Sequence, residues 1–146
     1  MMNPEVKRWF DFSVLDLGVA AHLYETYHPC PYEIICYHCQ QAAEKAIKAV
    51  ILFSDLKGGL PRSHDLSFLL NQIRNRYSVS ERILDYADEL SQYGVATRYP
   101  NELFLEQRHA KEALNMAKEI LEWCREQVEM TSFEEEDVVN PYETEN

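Results

Sequence analysis

Along most of this chain apolar positions recur with a period near 3.6 residues, the spacing that turns one side of an α-helix toward a core. The longest such run lies between Tyr32 and Phe53. On a helix advancing roughly 100° per residue, Ile35, Cys36, Cys39, Ala42, Ala43, Ala46, Ile47, Val50 and Phe53 gather on one arc. Tyr37, His38, Gln41, Glu44, Lys45 and Lys48 gather on the other side, within about a third of the circumference. The apolar arc covers roughly half the helix, wider than the stripe of a helix with one neighbour, so this segment is expected at the centre of a bundle with partners on two sides. Its polar stripe is expected to face solvent.

The rest of the chain supplies those partners. Asn3-Pro4 offers an N-cap and a first-turn proline for an opening helix running to about Tyr27, in which Trp9, Phe12, Leu15, Asp16, Val19, Ala20 and Leu23 recur at helical spacing. His28-Pro29-Cys30-Pro31 breaks it, because each proline removes an amide donor. After the central helix, the loop Lys57 to Ser63 contains paired glycines and a proline, and Leu66, Phe68, Leu69, Leu70 and Ile73 then predict a short helix capped by Ser63. Ser78-Val79-Ser80-Glu81 reads as a capping box for a fourth helix ending at Gly94. Arg98-Tyr99-Pro100-Asn101 reads as a second structured loop, followed by a last helix from about Leu105 to Val128. No segment alternates with period two, so the predicted fold class is all-α, an up-and-down bundle of four to five helices.

Charge and composition refine this picture. At 146 residues the chain is long enough for one cored domain without disulfide or metal staples. Residues 1–128 are expected to form that domain. Residues 129–146 hold seven acidic residues and no Lys or Arg, a composition expected to give a flexible acidic tail. The net charge of −11 argues against broad attraction to phosphate, yet much of the excess sits in the tail, leaving room for a local basic site on the body. No apolar run reaches membrane-span length and no signal-peptide core opens the chain, so a cytoplasmic location is expected. Cys36-Tyr37-His38-Cys39 is formally a C-x-x-C, but no second one exists and both cysteines lie on the apolar arc, which points to packing and implies neither metal nor cofactor.

Three places offer phosphate- or base-compatible groups. His38, Gln41, Lys45 and Lys48 share the polar stripe, although Glu44 and Lys48 at i, i+4 also make an ordinary helix-stabilising pair. His64, with Lys57 and Arg62 nearby, stands at a predicted helix N-terminus, where free amides favour an anion, although Asp65 there also complements the helix dipole. Arg98 offers a planar fork for phosphate and Tyr99 a ring for stacking. These are the candidate ligand-binding residues, expected to converge on one cleft; none is assigned as catalytic.

Taken in order, H-C-Q-Q-A-A-E-K-A-I-K-A from His38 to Ala49, His64-Asp65-Leu66 and Arg98-Tyr99-Pro100, with Asp16-Leu17 ahead of Ala20 and Ala21, resemble the HEPN family of small helical domains over about residues 4–128. Ribonuclease members of that group carry an arginine followed after four to six residues by a histidine. From Arg98 those positions are Leu103, Phe104 and Leu105, and no other arginine fares better. The resemblance therefore implies a non-catalytic nucleotide or nucleic-acid binding module, a homodimer, partnered with a separate nucleotidyltransferase chain in a toxin–antitoxin-like or substrate-binding arrangement. The alternatives are a metal-independent ribonuclease that joins Arg98 to His64 or His38 through the fold, and a helical protein-interaction module.

Overall fold

The computed structural model describes residues 2–96 and 104–139. Its elements are α1 (Pro4–Thr26), α2 (Tyr32–Phe53), α3 (Leu66–Asn71), α4 (Glu81–Ser91), the single turn α5 (Tyr93–Ala96) and α6 (Gln107–Val139). No strand occurs among the described residues, and the helices form the expected all-α bundle.

Local chemistry sets most boundaries. Asn3 caps α1 by accepting the Glu5 amide at 2.8 Å, with Pro4 in the first turn. Pro31 precedes α2, which ends where Ser54 returns its hydroxyl to the Val50 carbonyl at 2.8 Å. Gly58 and Gly59, at φ of 94° and 72°, turn the following loop in the left-handed region that costs glycine least.

Three boundaries differ from the expected ones. The cap of α3 is Asp65, whose carboxylate accepts the amides of Ser67 and Phe68, whereas the Ser63 hydroxyl only accepts the amide of Asp65. The cap of α4 is Ser80, accepting from Ile83, so no capping box starts at Ser78. Gly94 does not end a helix; it lies inside α5, where the Gln40 side chain occupies the space a Cβ would approach.

The last helix also runs past Val128 to Val139. Val128 is its last buried position among those whose side chains are described. Once a helix is nucleated, each added residue costs little, and glutamates propagate it well. The expected tail therefore begins as helix over residues 129–139, and residues 140–146 lie outside the described part.

The core sits around α2, which packs against α1 on one side and α6 on the other, with α3, α4 and α5 closing its remaining flank. Thirteen of its 22 residues are buried. Alanines 42, 43, 46 and 49 are fully inaccessible and keep its neighbours close. On α1 the buried positions are Val6, Phe10, Ser13 and Ala20, and the Ser13 hydroxyl donates to the Ala42 carbonyl at 2.6 Å across the interface. That inward face leaves Val14, Leu15 and Val19 exposed on the outer side of α1.

Candidate functional site

The polar stripe of α2 is not solvated along its length. Glu44 and Lys48 are buried, contrary to expectation, because Trp9 of α1 lies beside Lys48 and the chain ahead of α3 brings His64 onto Glu44. Two carboxylates organise everything around them. A buried cation and a buried carboxylate persist only when each has partners, and here each does.

The first carboxylate is Asp16 on α1. One oxygen accepts from the His38 ring Nδ1 at 3.0 Å, and the other accepts from the Lys45 ammonium. Lys45 lies 5.8 Å from the centroid of the Phe12 ring, and His38 meets Tyr37 edge-on with centroids 5.6 Å apart. This cluster ties α1 to α2.

The second is Glu44 on α2. Oε2 accepts from the Lys48 ammonium at 3.1 Å, while Oε1 accepts from His64 Nδ1 at 2.9 Å and from Gln40 Nε2 at 3.2 Å. Gln40 Nε2 also donates to the His64 carbonyl at 3.0 Å, and Gln41 Nε2 donates to Gln40 Oε1 at 2.7 Å. The Lys48 ammonium stands 6.0 Å from the Trp9 ring centroid, a cation–π distance. Among the described residues no buried side-chain nitrogen or oxygen lacks a hydrogen-bond partner.

The two clusters place the sequence candidates differently. Lys48 and His64 share Glu44, while His38 and Lys45 share Asp16; Gln41 reaches the Glu44 cluster only through Gln40. Arg98 and Tyr99 lie outside the described residues. The amides at the start of α3 are not open to an anion as expected, since Asp65 takes two of them and the Ser91 hydroxyl accepts from Leu66 at 3.0 Å.

His64 stands apart. Its side chain is 66% exposed although the carboxylate that holds it is 5% exposed. A carboxylate can only accept, so Nδ1 carries the proton in that hydrogen bond, and the Nε2 edge is turned away from Glu44. A buried acid orienting an open imidazole is an arrangement that can bind an anion or relay a proton.

Two members of these clusters, Gln40 and Asp16, stand in the motifs quoted from the sequence but are not among its candidate site residues. Gln40 was not singled out, yet it is a polar residue on the arc of Cys36, Ala43 and Ile47, which is a signal for a buried amide with dedicated partners. Asp16, an acid among apolar helix positions, carried the same signal. The cysteines lie where their arc placed them: Cys36 and Cys39 are inaccessible, and burial, with the charge of Glu33 adding to it, pushes the Cys36 thiol up to about 12. Burial raises Cys39 and Cys124 as well, so all three stay thiols at neutral pH.

Against known proteins, the family model described as HEPN domain matches residues 6–127. The chain belongs to the HEPN family. Solved structures similar to this HEPN domain include an archaeal HEPN homologue, 29% identical with a TM-score of 0.66 over 84% of this chain and 97% of that one. A protein of Thermus thermophilus is 26% identical, with a TM-score of 0.71 over 85% and 98% of the two chains. A HEPN domain protein of Thermotoga maritima is 25% identical, with a TM-score of 0.67 over 84% and 98%. No curated protein matches the chain.

Proposed function

We propose that this HEPN domain is a non-catalytic module that binds a nucleotide or RNA through the His64 edge, acting as a homodimer beside a separate nucleotidyltransferase chain in a toxin–antitoxin-like or substrate-binding role. The observation that carries the reading is the exposed His64 ring fixed by buried Glu44, with Lys57 and Arg62 on the same exposed loop. Glu44 holds the ring through Nδ1, so the Nε2 edge is the one presented to a phosphate oxygen. Arg98 and Tyr99 supply a guanidinium and a ring to the same ligand, and Lys48 acts by holding Glu44 in place. Salt-dependent binding follows from such contacts.

Self-association uses the outer side of α1. Val14 at 41%, Leu15 at 61% and Val19 at 39% exposure flank shallow apolar grooves, one of which reaches α6 at Leu114. A two-fold axis through such a face pairs it with itself. No described helix is long and apolar enough to cross a membrane, and the proposed setting is the cytoplasm.

The test is titration of AMP and of a short single-stranded RNA into wild type, His64→Ala and Arg98→Ala, with helicity checked by circular dichroism. Each substitution is expected to weaken binding about tenfold, equivalent to about 1.4 kcal/mol, and higher salt to weaken it further. Unchanged affinity in both variants overturns the reading. The Glu44–His64 pair also favours a second one, a metal-independent ribonuclease in which His64 is the general base. Cleavage of the RNA by wild type in chelator, abolished in His64→Ala, would establish that function instead.

A further inference from the structure

Away from the His64 edge, a cleft of about 580 Å³ opens between the first turns of α1 and the second half of α2, a size typical of small-molecule sites. Glu5, Arg8, Trp9 and Phe12 recur at helical spacing and form its α1 wall. Lys45 and Leu52, two turns apart on α2, form the opposite wall, and Leu60, just past the Gly58-Gly59 turn, completes it.

We infer that this cleft binds a small aromatic carboxylate: a planar, one- or two-ring apolar body bearing a single negative charge. Trp9 and Phe12 supply aromatic surface, and Leu52 and Leu60 supply aliphatic surface, so a flat apolar body gains burial and ring contact. The lining carries two cationic side chains, Arg8 and Lys45, beside one carboxylate, Glu5. Lys45 is already bound to Asp16, which leaves Arg8, exposed and ending in a planar fork, as the carboxylate's main partner. A nucleotide fits this lining poorly. Among the described residues no hydroxyl or amide side chain lines the cleft to replace the water that a base edge and ribose would lose.

Calorimetric titration of the full chain with 2-naphthoate tests this, with 2-naphthamide as the uncharged counterpart and AMP as the nucleotide. Saturable one-to-one binding of naphthoate is expected, at least fivefold tighter than the amide. Arg8→Gln should remove most of that preference, and Leu60→Glu, which sets a like charge and no aliphatic surface at a half-buried loop position of the lining, should weaken naphthoate at least tenfold with helicity retained. Absence of saturable naphthoate binding, equal binding of the amide, or indifference to both substitutions overturns the proposal. So does AMP binding that is itself lost in Leu60→Glu, which would assign the cleft to nucleotides.

Discussion

Asp16 and Glu44 hold almost the same set of partners, one histidine and one lysine each, yet they do so under different conditions. Around Asp16 the side chains keep partial contact with water, at 14% exposure for the acid, 28% for His38 and 26% for Lys45. Around Glu44 the acid and Lys48 are nearly dry, at 5% and 8%, and only His64 reaches out. The difference teaches that shared chemistry does not mean shared work. In the first cluster either His38 or Lys45 can swing into solvent when Asp16 is lost, so these contacts mainly register α1 against α2. In the second, Lys48 has nowhere to go, and a lost partner leaves a buried charge.

Substitutions at the two carboxylates test this directly. Glu44→Ala should cost about 3–5 kcal/mol in urea or thermal unfolding, because it strands the Lys48 ammonium and removes one of the two acceptors of Gln40. Adding Lys48→Met to that variant should recover about half of the loss, since the stranded charge is the larger part of it. Asp16→Ala should cost only about 1–2 kcal/mol, the range of charged hydrogen bonds whose donors can return to water. Equal losses at Asp16 and Glu44 would erase the distinction.

Smaller effects sharpen it. A Cβ at Gly94 would stand 3.1 Å from Gln40 Cδ and 3.2 Å from Nε2. Gln40 is fully buried and anchored at three points, so it gives way at a cost: Gly94→Ala should lose about 1 kcal/mol of stability by overpacking. It should also loosen the His64 ring, visible as altered imidazole shifts in NMR. His64→Ala should change stability least, by about 0.5 kcal/mol or less, since the exposed ring leaves Glu44 with its Lys48 and Gln40 hydrogen bonds. A large loss there would make His64 a structural residue and weaken its candidacy for binding.

Much of this was readable from the residues themselves. Prolines and a capped N-terminus punctuate α1 and α2, so their limits follow from backbone chemistry that no tertiary contact overrides. The breadth of the α2 arc foretold its two main neighbours. The solvent-facing stripe was wrong for a physical reason: periodicity says which residues share a side, but not what will cover that side. Trp9, the Gln40 amide and the approach to α3 cover Glu44 and Lys48, and the contacts from Trp9 and His64 join residues twenty or more positions apart. Ser63 and Ser78 failed as caps because Asp65 and Ser80, two residues on, compete for the same role. The pairing of Lys45 with Asp16 rather than with the His64 edge was beyond reach of spacing alone, since it depends on how α1 is rotated.

The burial of α2 has a temporal consequence. Its amides are expected to exchange with solvent only through opening of the whole bundle, whereas the glycine-bearing loop ahead of His64 opens by local fluctuation. Gln40, Glu44 and Lys48 ride on the slow element, and His64 arrives on the fast one. Arrival and departure of anything bound at His64 would then be paced by the loop, on the nanosecond-to-microsecond scale of such segments, against a helical reference that stands still throughout.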